Sequence, residues 1–182
     1  MDIVVMLIRG QVNSLITHTN TAFALIKLDT NGVLQFAKKI ECTVSTGDLR
    51  FWKLKPDRYG NINIIGDYDE TVDFDPGPGI YAPPSVAGGN TFLARYDLNG
   101  DFVFMKPFTG STGNNLIVPS YLDEEGRGCL AMISKGNIFY DGTQLNGNPL
   151  SNWYSVFAWL ITGNVIQHFF RCNEPCQYTF DP

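Results

Sequence analysis

Apolar and polar positions along this chain alternate on a short period and do not settle into a helical one. Phe92, Ala94 and Tyr96 fall on one side of a run whose other side carries Leu93 and Arg95, the two-residue period of a β-strand. Such runs come in pairs. "AFALIKLDTNGVLQFAKKI" begins at Ala22, "TFLARYDLNGDFVFMKPF" at Thr91 and "SVFAWLITGNVIQHFF" at Ser155. Each is an apolar run, a turn ending in Gly, and a second run rich in aromatics, which predicts a hairpin. Gly32, Gly100 and Gly163 mark the turns. Two of them carry Asn-Gly, the pair that favours a tight hairpin.

A second set of hairpins lies between these. Ser45-Thr46-Gly47-Asp48 returns as Ser111-Thr112-Gly113-Asn114, and Asp57-Arg58-Tyr59-Gly60 returns as Asp123-Glu124-Glu125-Gly126, both at an offset of 66. "VVMLIRGQ" from Val4 also matches "LAMISKGN" from Leu130. The repeating unit is therefore four antiparallel strands. The first copy starts at its second strand, near residue 3, with its third at 22–28 and its fourth at 33–40. The whole chain predicts about eleven strands and no helix. Four-stranded sheets in tandem are the blades of a β-propeller. The expected domain is 1–171, with blades at 1–40 (partial), 41–108 and 109–171, followed by a tail at 172–182. The alternative all-β reading is a β-sandwich whose internal similarity is coincidental.

"TVDFDPGPG", residues 71–79, interrupts this pattern. Pro76 and Pro78 lack a backbone donor, and Gly77 and Gly79 accept positive φ, so no helix or central strand continues through them. Together with the flanking "GNINIIGDYDE" and "GGNTFLARYDLNGDFVFMKPF", this segment resembles the bacterial β-propeller repeat often called the SBBP repeat. The resemblance is close over residues 60–108, partial over 114–170 and weaker before residue 40. It implies blades in which the Pro-Gly segment links strands two and three. It also implies a non-catalytic module of exported, cell-surface or secreted proteins. Three blades do not close a propeller, since rings have at least four. The expected partners are therefore a second copy or other chains that complete the ring.

Composition agrees with a folded β protein: 44% apolar, 13% aromatic, with 18 Gly and 10 Pro. A net charge of −5 argues against a nucleic-acid footprint. The apolar run in "MDIVVMLIRG" is too short to span a membrane and lacks the marks of a secretory leader. Four cysteines, Cys42, Cys129, Cys172 and Cys176, are too few to build a disulfide scaffold. Cys172 and Cys176 could close a small loop in an oxidising compartment, or remain thiols in a reducing one. A Cys42–Cys172 bridge is unexpected, because each follows the last strand of a different copy.

Candidate chemistry begins with the acidic run. In the acidic run that also holds Glu70, Asp67, Asp69, Asp73 and Asp75 would share one face of a continuous strand and suit Ca²⁺, which takes oxygen ligands. The other reading is a solvated hairpin whose aspartates cap turns, and a bend at residues 69–71 would scatter the group. Trp52 and Arg58, in a segment that mixes Arg50, Lys53 and Lys55 with Phe51, could bind a glycan, as could Trp153 and Trp159. The competing reading buries these aromatics and leaves the basic positions in solvent. His168, Cys172 and Cys176 have the spacing of zinc ligands on a helix, but Pro175 opposes a helix there. The chain has no nucleophile elbow, phosphate loop or nucleotide fingerprint. The function expected is a structural or protein-interaction module, with a carbohydrate-binding module, Ca²⁺-dependent or not, as the alternative.

Overall fold

The computed structural model describes residues 4–9, 22–44, 47–85, 90–110, 115–134, 137–140, 143–144, 154–161 and 165–172. Among them are fourteen strands and no helix. In chain order these are β1 (Val4–Arg9), β2 (Ala22–Leu28), β3 (Leu34–Cys42), β4 (Leu49–Pro56), β5 (Ile62–Tyr68), β6 (Val72–Asp73) and β7 (Asn90–Tyr96). There follow β8 (Phe102–Gly110), β9 (Asn115–Leu122), β10 (Gly128–Ser134), β11 (Ile138–Tyr140), β12 (Thr143–Gln144), β13 (Tyr154–Ile161) and β14 (Val165–Cys172). They form three antiparallel sheets, ordered β1-β2-β3-β6, β4-β5-β7-β8-β11-β12 and β9-β10-β13-β14. Eleven of these strands are the ones the hydrophobic pattern predicts. The other three, β6, β11 and β12, are short and lie in the connections.

Two of those short strands, β6 and β11, join the sheets, and β12 pairs with β11. Residues 69–89 lead from β5 to β7, its antiparallel neighbour. On the way, Val72 and Asp73 pair with Cys42 and Glu41 at the outer edge of the first sheet. The link from β10 to β13 does the same one sheet later: Ile138, Phe139 and Tyr140 pair with Gly110, Thr109 and Phe108 on β8. Pairing to an exposed strand edge satisfies backbone groups that water would otherwise hold. β9 begins 66 residues after β4, at 115 against 49, and β10 begins 66 after β5, at 128 against 62.

The described core lies between the first two sheets. Phe23, Leu25 and Ile40 meet Leu49, Ile62, Ile64, Phe92, Ala94, Tyr96 and Met105. Phe92 and Leu93, on opposite faces of β7, are both buried, as expected for a sheet covered on both sides. Phe74, just after β6, is fully buried, with ring centroids 5.3 Å from Tyr68 and 4.8 Å from Phe92 in edge-to-face geometry. The Tyr96 hydroxyl donates to the Phe74 carbonyl at 3.0 Å, and the Tyr81 hydroxyl to the Met105 carbonyl at 3.1 Å. "DFDPGPG" is thus a pinned connector. Asp75 Oδ1 accepts the Gly77 N–H at 2.8 Å, and a Cβ at Gly79 would collide with the same carboxylate.

Four hairpin turns share one design. Asp29, Asp57, Asp97 and Asp123 each accept at Oδ1 the backbone N–H groups two and four residues on, at 2.7–3.0 Å. The fourth residue of each is a Gly with φ between 75° and 85°. Asn31 and Asn99 do not have positive φ. The Asn-Gly pairs therefore do not form the two-residue turn their sequence favours. They form a type I turn followed by a left-handed Gly, because the preceding Asp side chain binds its own backbone two residues ahead.

Removing the Phe74 ring tests the connector. Phe74→Ala is expected to cost about 3–5 kcal/mol in urea-melt stability and to speed proteolysis within residues 76–85, while far-UV circular dichroism keeps its strand signature.

Candidate functional site

All four Asp turns join strands at the same end of their sheets, since each connects a first strand to a second or a third to a fourth. At this end neighbouring sheets clasp one another. Lys27 Nζ donates to the Leu98 carbonyl at 2.6 Å, and Lys38 pairs with Asp101 at 3.0 Å. Between the second and third sheets, the Arg58 N–H donates to the Glu124 carbonyl at 2.6 Å and its guanidinium pairs with Glu125. Arg58, a candidate ligand contact by sequence, is thus placed in a contact between sheets. Beneath it, Arg95 Nε donates to Asn63 Oδ1 at 2.8 Å, and Nη2 donates to the Gly126 carbonyl at 2.9 Å. Its Nη2 also lies 3.9 Å from Asp57 Oδ2. Burial lowers the Arg95 guanidinium from its ordinary value, and Asp57 partly offsets this. A Cβ on Gly126 would run into this group of side chains. This largely buried polar node was not among the sequence candidates, because Arg95 and Asp57 are 38 positions apart and neither carries a motif.

The opposite end gathers Asp48, Arg50, Trp52, Asp67 and Asp69. Arg50 Nη2 donates to Asp48 Oδ2 at 2.5 Å, and Nη1 to Asp67 Oδ2 at 3.4 Å. Trp52 Nε1 donates to Asp67 Oδ1 at 3.1 Å. Asp69 Oδ1 accepts the Asp48 N–H, and the Asp69 N–H donates to the Asp48 carbonyl at 3.0 Å. A recess of about 40 Å³ lies among Asp48, Arg50, Asp67, Tyr68 and Asp69.

A β-bulge creates this arrangement. Phe51 faces Gly66 and Lys53 faces Ile65 across β4 and β5, so Trp52 is the unpaired extra residue. The bulge reverses the expected alternation: Trp52 is 60% exposed, while Lys53 and Lys55 are half-buried, 5.6 and 5.8 Å from the Tyr121 ring. Gly66 permits the close approach, since a Cβ there would meet the Arg50 carbonyl and stand 2.7 Å from the Phe92 ring.

The acidic run divides at Glu70, whose φ of 56° bends the chain. Asp67 and Asp69 stay with Arg50, Trp52 and Asp48. Asp73 Oδ1 instead accepts the N–H groups of Asp75 and Tyr81 at 3.1 and 3.0 Å. Among the described residues no group of three or more His, Cys, Asp or Glu side chains is arranged to hold a metal ion. Trp159 lies in β13 opposite His168 on β14, and Cys172 ends β14 opposite Ser155. Trp153 and Cys176 lie outside the described residues. Cys42, on β3, and Cys172 belong to different sheets.

Comparison with protein-family models, with curated proteins and with solved structures finds no match for this chain.

Two aspartates should carry opposite pH dependence. Burial, outweighing Arg50 and Trp52, pushes Asp67 above the ordinary carboxylate value. Its contribution to stability is full below the unfolded value of about 3.9 and is lost as pH rises through the higher native value. For Asp123, burial acts upward, but the N–H and guanidinium of Arg127 and the N–H of Glu125 outweigh it and leave the pKa low. Its contribution is present above the unfolded value and is lost as pH falls through the native one. In urea melts across pH, Asp67→Asn should remove a loss of stability on raising pH from about 4. Asp123→Asn should remove a loss on acidification.

Proposed function

We propose that the chain is a non-catalytic β-propeller-type interaction module, whose successive sheets act as blades and which completes a ring with further copies or other chains. The observation that carries this reading is the double strand addition. β6 extends the outer strand of the first sheet, and β11 with β12 extends the outer strand of the second. Each sheet is held to the next by backbone pairing as well as by side chains. β14, the outer strand of the third sheet, carries no such addition among the described residues. Three sheets are fewer than the four to eight of a closed propeller, and an open sheet edge favours association. The resemblance of residues 60–108 to SBBP repeats supports placing the module in a secreted or cell-surface assembly.

Size-exclusion chromatography with light scattering tests this reading. The expected result is a mass at an integral multiple of the 20.3 kDa chain, shifting toward the single chain on dilution. A folded monomer across the whole concentration range would overturn self-assembly, and failure to bind any co-purified chain from its own source would overturn the wider reading.

A further inference from the structure

The recess at the Trp52 end is a built surface that the assembly reading leaves unused. Trp52 presents an aromatic face that is 60% exposed, on a bulged residue of β4, and β4 ends its sheet. An indole joins a large apolar face to an N–H that can be held by a partner, which suits it to contacts that are apolar on one side and wet on the other. Its orientation is also fixed. Trp52 Nε1 is held by Asp67 Oδ1 at 3.1 Å, and Asp67 is held by Arg50, so little side-chain freedom remains to be lost on binding. Asp67, which holds the indole N–H, also lines the recess with Asp48, Arg50, Tyr68 and Asp69.

The dimensions and chemistry select a ligand class. About 40 Å³ is room for about three or four water-sized groups at roughly 10–15 Å³ each. A hydroxymethyl arm fits, but a ring does not, so a ring must lie outside, against the indole. The recess wall offers planar donors and acceptors side by side. The Arg50 guanidinium has five N–H groups, and its side chain is half-exposed. Each Asp67 oxygen accepts one of the bonds above and has a second lone pair. A hydroxyl, which both donates and accepts, matches such a pair. An organic cation would compete with Arg50 for carboxylates that Arg50 already neutralises in part.

We propose that Trp52, Arg50 and Asp67 form a binding site for a neutral pyranose sugar, stacked on the indole with its hydroxymethyl group in the recess. Asp67 and Arg50 orient the platform and bond the hydroxyls. No metal takes part. The site is independent of the ring-completing edges, and Arg58 lies past the far end of β4, at most about 20 Å from Trp52 at 3.3 Å per residue.

The test uses the full chain with methyl β-glucoside, methyl α-mannoside and methyl β-galactoside, each raised to about 50 mM. Tryptophan fluorescence and saturation-transfer NMR follow binding. A ligand of about a dozen heavy atoms on an open surface should bind in the millimolar range. At least one sugar should give a saturable signal that resists both high salt and chelator. Trp52→Ala should abolish it, Trp52→Phe should retain part of it, and Asp67→Ala should weaken it about ten-fold. Arg58→Ala should leave it unchanged. Circular dichroism and thermal melts establish that each variant is folded; if Trp52→Ala does not fold, the Trp52→Phe and Asp67→Ala titrations decide. No saturable signal with any of the three sugars would overturn the proposal. So would undiminished binding by a folded Trp52→Ala protein, or preferential binding of agmatine over all three sugars.

Discussion

Insertion of Phe74 between the first two sheets, with Val72 and Asp73 pairing to the edge of β3, is the contact on which the described architecture depends. A sheet buried on both faces needs a neighbour on each side. The connector adds a backbone tie to the side-chain packing between two such neighbours. It leaves the second sheet after β5, reaches the first by backbone hydrogen bonds, places an aromatic ring in the shared core, and returns to β7. Pro76 and Pro78 limit the conformations the unfolded connector would sample, which favours this ordered path. The link from β10 to β13 follows the same route to β8, where the Phe108 and Tyr140 rings lie 4.9 Å apart.

The two ends of the sheets have been put to different uses. At the turn end, each Asp satisfies its own loop backbone, and the loops then supply carbonyls and carboxylates to the neighbouring sheet. Lys27, Lys38, Arg58 and Arg95 all use their charge between sheets. Most of these pairs are exposed and each contributes little by itself. Arg95 differs, its side chain being only 12% exposed beside the buried Asp57 and Asn63, where a missing partner would leave a poorly compensated charge. Toward the connector end, the bulge at Trp52 turns an aromatic outward and draws Asp67 to it. Here the side chains satisfy one another around an open recess instead of a neighbouring sheet.

Much of the secondary structure was legible because it is local. The two-residue alternation, the Asp-x-x-Gly turns and the 66-residue spacing located the eleven long strands and the absence of helix among the described residues. The three connector strands were not legible. Two or three residues carry no period, and the partners of β6 and β11 lie some thirty residues back in the chain, while β12 pairs only with β11. Asn31-Gly32 signals a tight hairpin locally, and the Asp two residues before Asn31 decides which turn it forms.

The site was legible in its residue types and not in its grouping. Trp52 and Asp67 stood out separately, one as a platform and the other as part of an acidic face. Their contact depends on a bulge, and a bulge is set by which residue across the sheet permits close approach, here Gly66. The split of Asp67 and Asp69 from Asp73 and Asp75 likewise depends on the left-handed backbone at Glu70. The sequence by itself therefore determined the strands and the turns, whose energetics are complete within a few residues. Only the tertiary structure decided which sheet each connector joins and which side chain meets which, because those follow from pairing across long separations that no local pattern encodes.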